Sequence, residues 1–288
     1  MWQIRFQTNA SACERVEQLL TQCGAVSIAF TDAADEPILE PPVGDHPLWS
    51  TLIIQAHFTQ NEAYVLASKA IQHETEIHSQ IDLTYVEDQD WQEKFQQQFA
   101  AMQFGDLWIY PSWQENPATD GPSLQLDPGL AFGTGQHATT HLCLQALSKM
   151  QLANKRVIDY GCGSGILALA AQQLGAQHVY AVDIDPQAIT ASKDNLVRNQ
   201  LPTQCFSIGL PEILADLKAE YLVANILATP LLGLRETFIQ HLTPNSILLL
   251  SGILCEQSET VIQHYSASFD CVDSTSKDGW SALTLRLQ

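Results

Sequence analysis

Residues 156–171 read RVIDYGCGSGILALAA. An apolar strand runs into three glycines, Gly161, Gly163 and Gly165, and then into an Ala/Leu-rich helix. Glycines let the backbone turn sharply and approach a ligand closely, and open α/β sheets bind ligands at the carboxyl ends of their strands. A small molecule is therefore expected over this turn. A dinucleotide site would carry G-x-G-x-x-G, but Ile166 stands where the third glycine belongs, so the spacing argues against a nicotinamide dinucleotide. Asp159 adds a carboxylate beside the turn, which would repel phosphates and attract an ammonium group.

Downstream, residues 179–186 read VYAVDIDP, a strand ending in Asp183, 22 positions after Gly161. That spacing is close to the roughly 20 residues that bring an acid to a ribose diol, and a carboxylate accepts two hydrogen bonds without a proton of its own. Asp185 precedes Pro186 and reads as the cap of the next helix. Residues 222–231, LVANILATPL, put Asn225 at the end of a further strand on the same rim. Its amide offers both a donor and an acceptor without charge, suited to orienting an amine or the amino-acid part of a ligand, or simply to turning the chain.

Around this segment, strands alternate with helices from Asn154 onward, which predicts a parallel sheet with helices on both faces. Strands are expected at Arg156–Tyr160, His178–Asp183, Cys205–Ile208, Tyr221–Asn225 and Ile247–Ser251, with two short ones at Phe269–Val272 and Ala282–Leu287. Nearer the N-terminus the periodicity gives β-α-β-β-α-β. A strand with Trp2, Ile4 and Phe6 leads to a helix capped by Ser11 and ended by Gly24, and strands follow at Ala25–Thr31, Thr51–Phe58 and Ile81–Val86, with a helix at Asn61–Ile71. This is the order of a ferredoxin-like unit. A Gln-rich helix over Gln89–Ala101, with Trp91, Phe95 and Phe99 on one face, connects the two parts. The fold class is thus α/β: a Rossmann-like, doubly wound, mostly parallel seven-stranded sheet in the C-terminal part, with an N-terminal α+β ferredoxin-like domain. The domains divide as residues 1–87, a connector or hinge over 88–104, and 105–288.

The 288 residues include 45% hydrophobic and 16% charged residues, an ordinary globular composition. The longest apolar run, Ile247–Leu254, is broken by Ser251 and Gly252 and falls short of the roughly 20 residues of a membrane span. Met1–Thr8 alternates like a strand and lacks the pattern of a secretory leader, so a cytoplasmic location is expected. Seven scattered cysteines without a C-x-x-C pair indicate free thiols, with neither a zinc site nor a disulfide framework. His137 and His141 are four apart but lack the Glu of H-E-x-x-H, and no metal is assigned. Cys162 has no His or Asp partner in sequence and is not assigned as a nucleophile. The net charge of −19 repels nucleic acid and suits a cationic protein partner, although it serves solubility equally well.

The glycine turn, the ribose acid and Asn225, in this order over residues 155–288, resemble the S-adenosylmethionine methyltransferases. With LDPGLAFGTGQHATT at 126–140, DYGCGSGIL at 159–167, VANILATPL at 223–231 and the N-terminal unit, essentially the whole chain resembles the PrmA family of ribosomal protein L11 methyltransferases. The resemblance implies that Thr140, Gly161, Asp183 and Asn225 contact S-adenosylmethionine. Gly163, Asp159, Phe132 and Gly133 are expected at the same site, and Asn225 is the candidate catalytic residue. It also implies transfer to the α-amine and lysine ε-amines of ribosomal protein L11, recognised by the N-terminal domain, with the connector acting as a hinge. A monomer with little direct nucleic-acid contact and no membrane association is expected. The family reads G-T-H-P-T-T where this chain has Gly135-Gln136-His137-Ala138-Thr139-Thr140, which removes a preset backbone angle and keeps the hydroxyls. Two other readings stand beside this one: a methyltransferase of another protein or a small molecule, and a non-catalytic ribosome-assembly factor that binds the cofactor. The release-factor glutamine enzymes would carry N-P-P-Y, where this chain has Asn225-Ile226-Leu227-Ala228.

Overall fold

The computed structural model describes residues 1–34, 48–72, 74, 77, 81–85, 100–118, 120–127 and 137–288. In β1 (Trp2–Asn9), Ile4, Phe6 and Thr8 are buried and Arg5 is exposed, the period of two that a half-buried strand requires. Helix α1 (Ala10–Gln22) is capped by Asn9 and not by Ser11: the Ala12 N–H donates to the Asn9 side chain at 3.0 Å. Because the helix begins at Ala10, Ser11 already lies inside its first turn, and its hydroxyl donates to the Asn9 oxygen at 2.7 Å. Gly24, in the left-handed region at φ 91°, follows the helix end. Then come β2 (Ser27–Asp32), β3 (Thr51–Phe58), α2 (Asn61–Ile71) and β4 (Asp82–Tyr85). They form an antiparallel sheet in the order β2-β3-β1-β4, with Val16 and Leu20 of α1 and Ala67 and Ile71 of α2 packed on Ile4, Phe6, Ile54 and Phe58.

The chain divides into two compact units, Met1–Gln97 and Gln98–Gln288. The expected connecting helix falls mostly on residues 86–99, outside the described residues. Met102–Phe104, at the end of the expected connector, form β5, which pairs antiparallel with β6 (Leu107–Tyr110), itself paired with β7 (Ser123–Gln125).

Helix α3 (Ala138–Leu147) precedes the main sheet. The sheet is built from β8 (Arg156–Tyr160), α4 (Ile166–Gln173), β9 (His178–Val182), α5 (Pro186–Arg198), β10 (Phe206–Gly209), β11 (Ala219–Asn225), α6 (Ala228–Gln240), β12 (Leu242–Leu254), α7 (Ser258–Tyr265), β13 (Phe269–Lys277) and β14 (Trp280–Leu287). Seven strands lie in the order β10-β9-β8-β11-β12-β14-β13, parallel from β10 to β12 and antiparallel at β14. The order reverses at β8, whose neighbours β9 and β11 continue in opposite directions. A crevice opens at the carboxyl ends of the strands at such a switch point.

Four strands exceed their expected lengths, β11 and β14 by two residues each and β12 and β13 by more. β12 runs on to Leu254 through a bulge, where Ser251 and Gly252 stand opposite Ala282 between the pairs Leu250↔Leu283 and Ile253↔Ser281. β13 continues to Lys277 as an edge strand in which only Phe269 is fully buried, so hydrophobic periodicity could not mark its end. One face of the sheet packs under α3 and α4 through Leu144, Leu169 and Val223, the other under α6 and α7 through Phe238, Tyr265 and Leu250. The Tyr265 hydroxyl, wholly buried, donates to the Leu231 carbonyl at 2.7 Å. All seven cysteines are free thiols. No helix among the described residues is long and apolar enough to cross a membrane.

Candidate functional site

The glycine turn has its shape because three alternate residues adopt conformations that side chains resist: φ is 79° at Gly161, 54° at Gly163 and 79° at Gly165. The N–H groups of Gly161 and Cys162 both donate to the Val182 carbonyl, at 2.8 and 3.0 Å, and strap the turn to β9. From α5, the Ser192 hydroxyl donates to the Gly163 carbonyl and the Asn195 amide to that of Ser164, each at 2.9 Å. Gly165 starts α4 and has no side chain to cap it. Asp159 on the adjoining strand does so instead, its Oδ2 accepting from the Ala168 N–H at 2.9 Å.

Asp159 is 1% exposed, and among the described residues its Oδ1 has no hydrogen-bond partner. Burial pushes its pKa up to about 7, with the Ala168 N–H pulling it down and Asp183 pushing it further up. It lies behind the turn and does not line the cavity in front of it.

Asp183 follows β9 and faces the turn. Its Oδ2 accepts from the Gly163 N–H at 2.9 Å and its Oδ1 from the Asp185 N–H at 3.0 Å, leaving each oxygen further accepting capacity. Asp185 caps α5 through the Gln187 N–H at 2.8 Å, with Pro186 at the first helical position. At the end of β11, the Asn225 amide donates to Thr140 Oγ1 at 3.3 Å, while its Oδ1 is buried without a partner among the described residues. Thr140 is fully buried in the first turn of α3.

Two cavities open on this rim. The first, about 650 Å³, is lined by Thr140, Gly161, Gly163, Asp183 and Asn225, together with apolar walls that include Tyr160, Ile184 and Leu234. The second, about 410 Å³, is lined by His137, Thr139, Leu227, Gly252 and Trp280. They share Asn225, Ile226 and Pro230. Trp280 meets His137 edge to face at 5.2 Å, and Ser251 ties the wall together by donating to the carbonyls of Ser281 at 2.9 Å and Thr139 at 3.4 Å.

The sequence thus placed Thr140, Gly161, Gly163, Asp183 and Asn225 around one cavity, whereas Phe132 and Gly133 lie outside the described residues. It passed over Ile226, Pro230, Gly252 and Trp280. Only Gly252 left a signal, as a glycine interrupting an apolar strand. His137 caps α3 through the Thr139 N–H, and His141 packs edge to face on Phe104 at 4.8 Å. Among the described residues no three His, Cys, Asp or Glu side chains cluster to hold a metal. Burial pushes the Cys162 thiol up to about 12, far from the thiolate that nucleophilic chemistry needs.

The first cavity has the volume of a small-molecule site, an acid able to hold a ribose, and buried acceptor oxygens beneath it. No Lys or Arg among its described lining residues would neutralise a phosphate. That chemistry suits a nucleoside bearing a cationic sulfonium and an amino-acid tail. Fold and site together define a Rossmann-like methyltransferase that uses S-adenosylmethionine. The profile of the family described as "Ribosomal protein L11 methyltransferase (PrmA)" matches residues 1–288, and the chain belongs to that family. Similar proteins named ribosomal protein L11 methyltransferase occur in Pseudomonas paraeruginosa, 44% identical over 99% of this chain and 97% of that protein, and in Legionella pneumophila, 43% identical over 98% of each. A crystal structure of a ribosomal protein L11 methylase from Lactobacillus delbrueckii subsp. bulgaricus is 32% identical, with a TM-score of 0.59 over 66% of this chain and 100% of the other.

Proposed function

We propose that the protein transfers methyl groups from S-adenosylmethionine to the α-amine and lysine ε-amines of ribosomal protein L11. One observation carries this beyond family membership: two cavities, one polar-floored and one apolar, meet at Asn225, Ile226 and Pro230. The first suits the cofactor and the second the acceptor chain.

In this reading Thr140, Gly161, Gly163, Asp183 and Asn225 hold the cofactor. Asp183 accepts from its ribose, and Asp159, behind the turn, offers the amino-acid end a buried carboxyl whose Oδ1 has no partner among the described residues. Phe132 and Gly133 are assigned to the same site from the sequence. The bound cofactor supplies a methyl group that is already electrophilic. The protein's own task is then to place a neutral amine in line, a matter of orientation more than of covalent catalysis. Asn225 Oδ1 is free to accept an N–H from the incoming amine. The apolar walls of Leu227, Pro230 and Trp280 disfavour an ammonium ion, so the amine enters without its proton.

The N-terminal unit is the proposed docking module for the protein substrate. Its β-α-β-β-α-β order and antiparallel β2-β3-β1-β4 sheet support a ferredoxin-like assignment. The net charge of −19 favours a cationic partner over nucleic acid, and we read the enzyme as a cytoplasmic monomer. Incubation of the purified chain with radiolabelled S-adenosylmethionine and ribosomal proteins tests the proposal. Label on L11 amines is expected; label confined to another protein would discard the substrate, and cofactor binding without any transfer would discard the activity.

A further inference from the structure

Ile226 is held between two glycines from opposite sides of the site. A Cβ on Gly161 would overlap the Ile226 Cγ2 methyl, and a Cβ on Gly252 would overlap the Ile226 carbonyl oxygen and carbon. Both glycines have positive φ, 79° and 82°, which a side chain resists even where space allows. Gly161 belongs to the turn of the first cavity and Gly252 lines the second, while Ile226 lines both. Gly252 also forms the β12 bulge, at the level where β11 has ended at Asn225 and its register partner is Ser251. The bulge lets the strand pass within contact of the Ile226 backbone and carry on to the pair Leu254↔Trp280, which sets the far wall of the second cavity.

We propose that Gly252 and Ile226 are positioning residues for methyl transfer: the two glycines clamp Ile226 and so fix the wall at which donor and acceptor meet. This rests on the assignment of the second cavity to the acceptor. The two ends of the clamp differ in consequence. At Gly161 the neighbour is a side-chain methyl that can turn away, whereas at Gly252 it is a carbonyl that can move only with the backbone, and Asn225 with it. A Gly252→Ala change therefore shifts the shared wall while leaving the glycine turn and Asp183 in place. A displacement of about 1 Å at reacting atoms costs on the order of 100-fold in rate.

The experiment compares native protein, Gly252→Ala, Ile226→Ala and Ile226→Val in three measurements. These are single-turnover transfer to L11 with both substrates saturating, affinity for S-adenosylhomocysteine by equilibrium dialysis, and thermal melting. The proposal expects transfer to fall about 100-fold in Gly252→Ala and about 10-fold in Ile226→Ala, and affinity for S-adenosylhomocysteine, whose cavity Asn225 and Ile226 also line, to fall several-fold less than transfer in each. Ile226→Val, which keeps the branched methyl against Gly161, should restore most of the rate. Should Gly252→Ala not fold, the Ile226 pair carries the test alone. Native rates in folded variants would overturn the proposal, as would losses of rate and affinity in equal measure, which would assign the clamp to the cofactor site only. A native protein that binds S-adenosylhomocysteine but leaves L11 unmethylated would overturn the acceptor assignment and this proposal together, an outcome visible before any variant is compared.

Discussion

The Asn225 amide donates to Thr140 Oγ1 at 3.3 Å, joining the end of β11 to the first turn of α3 across 85 residues of chain. The bond turns Nδ2 to α3 and leaves Oδ1, buried without a partner among the described residues, as the acceptor proposed for an incoming amine. Asn225→Ala removes that acceptor and should slow single-turnover transfer about 10- to 100-fold, as expected for a lost hydrogen bond in a buried site. Thr140→Val, which releases the amide without deleting it, should have a smaller effect in the same assay. Native rates in Asn225→Ala with both substrates saturating would remove Asn225 from the chemistry.

Asp183 already spends part of each oxygen on a backbone N–H, and these bonds hold it toward the glycine turn. In Asp183→Asn the amide can accept at only one of its two ends. Affinity for S-adenosylhomocysteine should weaken about 10- to 100-fold, the usual worth of hydrogen bonds to a charged group. Calorimetric titration measures it, and unchanged affinity would remove the ribose assignment.

Asp159 makes stability depend on pH in a known direction. The folded carboxyl keeps its proton up to about 7, whereas the unfolded one loses it near 3.8. Between these values the folded state binds more protons, so this group's contribution is full below about 3.8 and is lost as pH rises toward 7. Asp159→Asn cannot ionise and should lose that slope. Urea unfolding of both proteins at several pH values should show the native protein weakening relative to the variant over this window. A constant difference would show that the carboxyl is not held neutral by its burial.

Tyr265 packs beneath α6 as a wholly buried ring whose hydroxyl reaches the Leu231 carbonyl at 2.7 Å. Tyr265→Phe keeps the ring and deletes the bond, so unfolding free energy should drop by about 1 kcal/mol. The urea midpoint should fall with its slope unchanged, and methyl transfer should be unaffected.

How much was legible depended on the reach of each signal. Gly161, Gly163, Gly165, Asp183 and Asp185 stand within one strand-turn-helix-strand passage, where local backbone demands leave their mark in residue type. Ser11 was misassigned as a cap because Asn9, two residues earlier, offers the same chemistry, and only the true helix start separates them. The full length of β13 was not legible, because an exposed edge strand needs no apolar alternation.

The sequence by itself determined a parallel α/β sheet, the glycine turn and the acid beyond it, because strand periodicity, positive φ and short spacings are local properties of the chain. Tertiary structure alone decided that Asp159 caps α4 from a neighbouring strand, that Thr140 meets Asn225, and that Gly252 and Trp280 wall a second cavity sharing Ile226 with the first. The bond between Thr140 and Asn225 joins segments 85 residues apart. The geometry of these contacts is set by sheet order and by one bulge, which residue types along the chain do not encode one at a time.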